Sequence, residues 1–118
     1  MNDIKVSKNF KLYEFQCKDG SNLVKVDSEL VNKLQKLRDT IGKPIVINSA
    51  FRTPEHNKKV GGSPTSQHLL GKAADIRVSG ITPKELANYC EKIGFGGIGI
   101  YSTFVHVDTR QGKARWNG

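Results

Sequence analysis

Apolar residues recur at helical spacing in the stretch that follows Asp27. They fall on one face of a helix, at Leu30, Val31, Leu34, Leu37 and Ile41. Asp27 or Ser28 can cap the start of this helix, and Gly42 and Pro44 end it. The pattern therefore predicts an amphipathic helix that begins after the capping residue, ends before Gly42 and has one buried face.

Two further helices are predicted from their start signals. Thr82-Pro-Lys-Glu85 matches a capping box with proline at the first helical position, and Gly94 marks the end of that helix. Its buried face consists of Leu86, Ala87, Cys90 and Ile93. A shorter helix is expected where Thr53 is the cap and Pro54 is the first residue.

Four segments are rich in β-branched or alternating apolar residues and are predicted as strands, at residues 45–51, 73–78, 96–101 and 104–108. The last two are joined by Ser102 and Thr103, which favours a hairpin. In the final segment, the period of two places His106 and Asp108 on the same face. Gly61–Thr65 has the composition of a flexible loop.

Composition indicates one ordinary domain that spans residues 1–118, with 36% hydrophobic and 25% charged residues. No apolar run is long enough to span a bilayer, and the N-terminal residues lack the apolar core of a signal peptide. We therefore expect synthesis in the cytoplasm. Action at a cell wall would then require release, as by phage-type lysis, or a leader that is missing from this sequence.

The formal charge of +8 indicates attraction to polyanions, which include nucleic acid and anionic bacterial wall polymer. The lysines are scattered, and the aromatic residues do not alternate with arginine as in a single-strand binding surface. We therefore expect general attraction without specific nucleic-acid recognition. Cys17 and Cys90 are far apart and lack metal-ligand spacing, which predicts two free thiols.

His68, Asp75 and His106 are candidate metal ligands in two short segments. Imidazole nitrogen and carboxylate oxygen are ligands that Zn²⁺ accepts, and three protein ligands leave a fourth position for water. Each residue also has an ordinary interpretation: a half-buried strand histidine, a loop histidine and a strand-end cap. The three together favour a catalytic zinc site with one ion.

Three longer motifs make this interpretation more specific. They are Ser49-Ala-Phe-Arg52, Ser66-Gln-His68 with Gly71 and Asp75, and Phe104-Val-His106-Val-Asp-Thr-Arg110. They resemble the zinc D-alanyl-D-alanine carboxypeptidase family, which includes vancomycin-resistance D,D-dipeptidases and L-alanyl-D-glutamate endolysins. Further matches extend the resemblance over nearly the whole chain, at Phe10–Phe15, Thr53–Asn57, Gly61–Gly62 and Ala114–Trp116.

The resemblance implies a small α+β fold, in which an antiparallel sheet has the zinc site on one face and helices on the other. The hedgehog signalling domain shares this fold. His68, Asp75 and His106 match the family's metal ligands, and Arg52 matches the arginine that holds a substrate carboxylate or the scissile carbonyl. A surface salt bridge is the alternative role for Arg52.

One position departs from the family pattern. Several members have an acidic general base three positions before the last histidine ligand, where this chain has Thr103. Asp108 is the first candidate for the base, with support of a ligand histidine as an equal alternative. Glu55 and His56 are weaker candidates.

Three other residues receive supporting roles in this interpretation. Ser66 and Gln67 are expected to orient the His68 loop or to contact peptide substrate. Trp116 is expected to pack the end of the chain, since a single aromatic residue without a partner is usually structural.

These features predict a monomeric zinc peptidase that hydrolyses amide bonds next to D-amino acids in the stem peptide of peptidoglycan. The positive surface would also attract it to anionic wall polymer. Two alternatives remain: a catalytically degenerate zinc module that only binds cell-wall peptide, and a nucleic-acid-binding protein attracted by charge. Which peptide bond is cut depends on side-chain pockets that the motifs do not define.

Overall fold

A computed structural model describes residues 2–118, and its first elements form a small ribbon near the N-terminus. Strands β1 (Lys5–Ser7) and β2 (Phe10–Lys11) pair in antiparallel fashion and lead into a 3-10 turn at Leu12–Phe15. Phe15 is buried, and its carbonyl oxygen accepts a hydrogen bond from the backbone N–H of Phe51 at 3.1 Å. The ribbon is therefore fixed beside the segment that contains Arg52.

The three predicted helices are present as α1 (Ser28–Ile41), α2 (Pro54–Lys59) and α3 (Pro83–Ile93). Helix α1 ends at Gly42, whose φ of 73° is the left-handed conformation that glycine adopts without steric cost. Helix α3 begins with the predicted capping box between Thr82 and Glu85. Local capping signals therefore define these helix boundaries. Across residues 2–118, no helix is long and apolar enough to cross a membrane.

The remaining strands form one five-stranded sheet in the order β3-β4-β6-β5-β7. Their bounds are Val46–Ser49 for β3, Ala73–Arg77 for β4, Gly97–Ile100 for β5, Val105–Asp108 for β6 and Ala114–Asn117 for β7. The first four are the predicted strands, each slightly shorter than its predicted segment. Together with the helices they form an α+β fold, as expected.

The expectation of an antiparallel sheet is wrong for β7, which pairs parallel to β5. The other three pairings, β3 with β4, β4 with β6 and β5 with β6, are antiparallel. Both edges of β6 are occupied by β4 and β5, so the returning chain pairs with the free edge of β5. Because β7 runs opposite to β6, it runs in the same direction as β5.

The two faces of the sheet differ completely in character. One face joins the hydrophobic core with the helices, and its strand residues include Ile47, Ala74, Ile76, Ile98, Val105 and Val107. On the other face of the sheet, the alternate positions of β4 and β6 carry Asp75, His106 and Asp108. Helices α1 and α3 therefore lie on the opposite face from the candidate site, as the family resemblance implied, whereas α2 contributes no residue to that core.

Candidate metal centre

Three candidate ligand atoms meet on the outer face of the sheet. Asp75 Oδ1 lies 3.2 Å from His68 Nε2 and 3.1 Å from His106 Nδ1, and all three atoms lie within 4.8 Å of one another. All three residues are buried. Two imidazole nitrogens and one carboxylate oxygen form a donor set that suits Zn²⁺. The structure thus brings together the three residues that the sequence identified.

Strand register explains why two of these ligands meet. Asp75 on β4 is the direct partner of His106 on β6, His106 is the partner of Gly99 on β5, and Gly99 is the partner of Trp116 on β7. These residues form one row across four strands, on the same face. The side chains of directly opposed residues lie close enough to interact. The register therefore brings the side chains of Asp75 and His106 together.

His68 reaches the site from a short 3-10 turn at Gln67–Leu70. The Ser66 hydroxyl caps this turn by accepting a hydrogen bond from His68 N at 3.1 Å. His68 Nδ1 lies 2.6 Å from the carbonyl oxygen of Ala50, which can only accept, so Nδ1 carries the proton. The lone pair of Nε2 is then directed at the ligand cluster. Ser66 therefore caps the turn that carries His68.

Asp108 lies behind His106 and is fully buried. Its Oδ2 is 2.8 Å from His106 Nε2, and the guanidinium of Arg110 donates to both carboxylate oxygens at 2.9 and 2.7 Å. These contacts are those expected for a residue that fixes the proton and orientation of a ligand histidine. Of the two roles considered for Asp108, its surroundings favour this support over service as a general base.

Glycines on β5 make room for the side chains of this row. A Cβ atom at Gly97 would overlap the carboxylate of Asp108, and one at Gly99 would overlap the indole of Trp116. Trp116 therefore lies over Gly99 and reaches His106, with the two ring centroids 5.1 Å apart. The expectation that Trp116 only packs the end of the chain is too narrow, because its ring also contacts a candidate ligand.

Arg52 is held beside the cluster by three acceptors. Its guanidinium and Nε donate to Asp75 Oδ2 at 3.3 Å, to Ser49 Oγ at 3.2 Å and to Asn57 Oδ1 at 3.3 Å. A bulge in β3 aligns Ser49 with Asp75, although Ile47 pairs with Ile76. Only 15% of the Arg52 side chain is exposed, so its ion pair with Asp75 is not a surface salt bridge.

Asn57 is a supporting residue that the sequence analysis did not identify. It is 3% exposed, and besides accepting from Arg52 it donates through Nδ2 to the carbonyl oxygen of Ser63 at 2.8 Å. A Cβ atom at Gly62 would overlap its amide oxygen. Asn57 thus links Arg52 to the loop that follows α2. Its position in a short polar helix gave no signal of this role.

The cluster opens into a pocket of about 540 Å³. The polar wall includes Ser63, Thr65, Ser66 and Gln67, and the aromatic wall is formed by Tyr101, Phe104 and Trp116. Arg52 and Arg110 contribute two cationic groups. Glu55, His56 and Thr103 do not line the pocket, so the weaker base candidates and the substituted family position all lie outside it.

The titration behaviour of the cluster follows from its hydrogen bonds. Burial raises the pKa of Asp75, but hydrogen bonds to His106 and His68 outweigh it and hold that pKa well below its usual range. Burial lowers the pKa of His106, yet the hydrogen bonds to Asp108 and Asp75 leave it above 6.5. In the metal-free protein, Asp75 is therefore ionised at neutral pH.

The two cysteines are separate from the candidate site. Cys17 and Cys90 are buried free thiols, as predicted, and neither belongs to the ligand cluster found among residues 2–118. Burial raises the pKa of the Cys90 thiol to about 12, which keeps it protonated and inert.

A pocket above three nitrogen and oxygen ligands is the arrangement of a catalytic metal site rather than a closed structural one. A family model described as Peptidase M15 matches residues 8–108, and the chain therefore belongs to the Peptidase M15 family. Peptidoglycan L,D-endopeptidase MepK of Escherichia coli strain K12 is 31% identical over 115 residues, covering 89% of this chain and 62% of that protein.

Two other relatives are named for related activities. The probable peptidoglycan L,D-endopeptidase MepK of Haemophilus influenzae is 29% identical over 117 residues, covering 90% of this chain and 62% of that protein. Zinc D-Ala-D-Ala carboxypeptidase of Streptomyces albus G is 47% identical over 45 residues, covering 37% of this chain and 18% of its own length. This chain thus spans 62% of the length of the MepK relatives.

Proposed function

We propose that the protein is a zinc-dependent peptidase that hydrolyses amide bonds next to D-amino acids in the stem peptide of peptidoglycan. The observation on which the proposal rests is the convergence of His68, Asp75 and His106 beneath an open pocket. Membership of the Peptidase M15 family and the activities for which its relatives are named support it. We treat residues 1–118 as a single domain that acts as a monomer.

One zinc ion would be held by His68 Nε2, Asp75 Oδ1 and His106 Nδ1. When bound, zinc supplies a Lewis acid that polarises a carbonyl group and lowers the pKa of water. The chain's own groups prepare this site in advance: Ala50 and Asp108 each accept the proton on the outer nitrogen of one histidine. Both imidazoles are thereby fixed with a lone pair directed toward the ion.

Arg52 is assigned to substrate recognition and to stabilisation of charge. Its three partners fix the guanidinium in place, and it lines the pocket beside Asp75. A fixed planar cation can bind a carboxylate, or stabilise a carbonyl oxygen as it gains negative charge. Ser66 and Gln67 line the same wall and offer polar contacts to the peptide backbone.

The charge of the pocket favours an anionic peptide. Arg52 and Arg110 are its two permanently charged cations, and Asp75 is the one carboxylate among the pocket-lining residues described. A divalent cation would make the pocket still more positive. Stem peptides contain free carboxylates, and the net charge of +8 would attract the protein to anionic wall polymer. We therefore place the site of action at the bacterial cell wall.

Of the possible bonds, we favour an L,D-amide cut within the stem. The similarity to the L,D-endopeptidases extends over 89% and 90% of this chain, whereas the similarity to the D-Ala-D-Ala carboxypeptidase extends over 37%. Specificity depends on the whole pocket wall, so the more extensive match has greater weight. Removal of a terminal D-Ala is the alternative cut.

Mass spectrometry of digested peptidoglycan tests this function. The zinc-loaded wild type should release defined muropeptide fragments whose masses identify the bond, while His106→Ala should release none. His56→Ala is the matched control, because His56 lies outside the pocket and its loss should leave digestion unchanged. Stem peptide that is bound but never cleaved by the wild type would refute hydrolysis and support the binding-module alternative.

A further inference from the structure

We propose that the Tyr101 hydroxyl is a catalytic hydrogen-bond donor to the carbonyl oxygen of the scissile amide. The proposal rests on the proposed function, since it needs a peptide in the pocket. It assigns a role to a residue that the sequence motifs left unassigned. The structural basis is a phenol that lines the pocket, is fixed in position and has an unused proton.

The Tyr101 ring is held by two neighbouring residues. The ring of Phe104 stacks on one side, with centroids 4.5 Å apart and planes 7° from parallel. A Cβ atom at Gly118 would overlap the Tyr101 ring, so the backbone of that residue packs against it. The backbone N–H of Tyr101 also donates to the carbonyl oxygen of Phe104 at 3.0 Å, which closes the turn between the two rings. The phenol is therefore preorganised.

The Tyr101 hydroxyl is fixed by a bond that leaves its proton available. Trp116 Nε1 can only donate, and it donates to the Tyr101 oxygen at 2.9 Å. Within residues 2–118, no acceptor lies within hydrogen-bonding distance of the hydroxyl proton. A phenol with one accepted bond and a free proton at a pocket wall is arranged to donate to a ligand oxygen.

The position of Tyr101 in the fold complements that of Arg52. Arg52 follows β3 and Tyr101 follows β5, while the strands that carry Asp75 and His106 lie between β3 and β5. The two donors therefore flank the ligand cluster within one pocket, with Arg52 on the β3 side and Tyr101 on the β5 side. Thr103, in the same turn as Tyr101, is exposed and lies outside the pocket. Tyr101 is thus the side chain of this turn that offers a polar hydrogen to the pocket.

A fixed donor is most effective at an oxygen that gains charge during the reaction. When water adds to an amide carbon, the carbonyl oxygen becomes negative, and a preorganised hydrogen bond stabilises it more strongly than in the ground state. In this role Tyr101 donates a hydrogen bond and does not transfer its proton. Loss of one such donor typically lowers kcat by about 100- to 1,000-fold.

Tyr101→Phe, which removes one oxygen atom and keeps the stacked ring, is the variant that tests this role. We expect kcat on the muropeptide substrate to fall by about 100-fold or more, with KM changed less than about threefold. Zinc affinity and thermal stability should stay near those of the wild type. Tyr89→Phe on α3 is the control, because Tyr89 lies outside the pocket, and its kcat should be unchanged. An unchanged kcat in Tyr101→Phe, or a raised KM with normal kcat, would overturn the assignment.

A second measurement separates failure of this inference from failure of the proposed function. A phosphinate analogue of the stem peptide presents charged oxygens that mimic the tetrahedral state, and calorimetry measures its binding without turnover. The zinc-loaded Tyr101→Phe variant should bind it at least about tenfold more weakly than the wild type, while the substrate-like amide peptide binds equally to both. Equal phosphinate affinities would refute the Tyr101 donor even in a protein that cleaves nothing. Absence of cleavage by the wild type, with the phosphinate difference retained, would refute only the proposed function.

Discussion

The indole of Trp116 lies against the imidazole of His106, with ring centroids 5.1 Å apart and planes tilted by 48°. Trp116 is the one tryptophan in the chain, so all tryptophan emission reports on the surroundings of a candidate zinc ligand. Its position depends on Gly99, which leaves space for the ring. The contact therefore gives metal binding an optical readout that needs no substrate.

We expect zinc titration of the metal-free protein to change Trp116 emission with one-to-one stoichiometry. Removal of zinc by a chelator should reverse the change, because neutral and charged states of His106 quench the neighbouring indole differently. Fluorescence titration checks this result. His56→Ala should retain the full signal, and His106→Ala should lose it. A wild-type spectrum that does not respond to zinc would contradict the ligand assignment.

Gly99→Ala should destabilise the protein by about 1–3 kcal/mol, because the added methyl group overlaps the Trp116 ring. Urea unfolding measures the loss. Trp116→Leu in the same chain supplies a double-mutant cycle, since the smaller side chain relieves the overlap. The combined variant should lose less stability than the sum of the two single variants. Simple additivity would show that the overlap is relieved in another way.

Much of the fold was predictable because its signals are local. The proline and capping residues at Thr53 and Thr82 defined helix starts, and alternation in residues 104–108 placed His106 and Asp108 on the outer face. These features depend on neighbours in sequence, which is why short patterns predict them. The ligand set was predictable for a related reason. The spacing between His68 and Asp75 is that of a turn followed by a strand.

The missed features depend on contacts that are distant in sequence. The pairing of β7 depends on the free edge of β5, and no local sequence pattern indicates which strand has a free edge. Trp116 gained its contact with His106 through this pairing and through Gly99. Asn57 lies in a polar helix, and its sequence neighbours do not indicate whether it is exposed or buried against Arg52.

Asp108→Asn keeps the shape of the side chain and removes the negative charge that faces His106 and Arg110. We expect zinc affinity to fall by about 10- to 100-fold, as is typical when the partner of a ligand histidine is changed. Competition with a fluorescent zinc chelator measures this change. Asp39→Asn on α1 is the control for loss of one charge. Unchanged zinc affinity with a large loss of kcat would instead identify Asp108 as the general base.

Metal-free protein should lose stability in acid. Hydrogen bonds hold the folded-state pKa values of Asp75 and Asp108 well below that of an aspartic acid in an unfolded chain. Their stabilisation is therefore present above the unfolded pKa and is lost as the pH falls toward the folded values. Urea unfolding between pH 2 and pH 5 measures the effect. Asp75→Asn should show a shallower decline than the wild type over this window. Parallel declines would show that Asp75 does not contribute to it.

Asn57→Ala should loosen the loop that follows α2, because it removes the donor to Ser63 and an acceptor of Arg52. We expect a loss of about 1–3 kcal/mol in unfolding free energy, as for a buried hydrogen-bonded group. Hydrogen exchange of amides in residues 60–66 should accelerate, while zinc affinity changes little. Asn88→Ala in α3 is the control at an exposed helical position. Unchanged exchange in the loop would show that Asn57 does not hold it.

Asp75 and His106 belong to β4 and β6, two of the three inner strands of the sheet, whereas much of the pocket wall comes from segments outside the sheet. These two candidate ligands are thus held by strands that are paired on both sides, whereas much of the surface proposed to select a peptide is not. Under the proposed function, insertions or exchanges in residues 60–66 would change which bond is accepted without moving the candidate ligands. A single scaffold of this kind is suited to diversification, both in nature and by engineering of the segments that form the pocket wall.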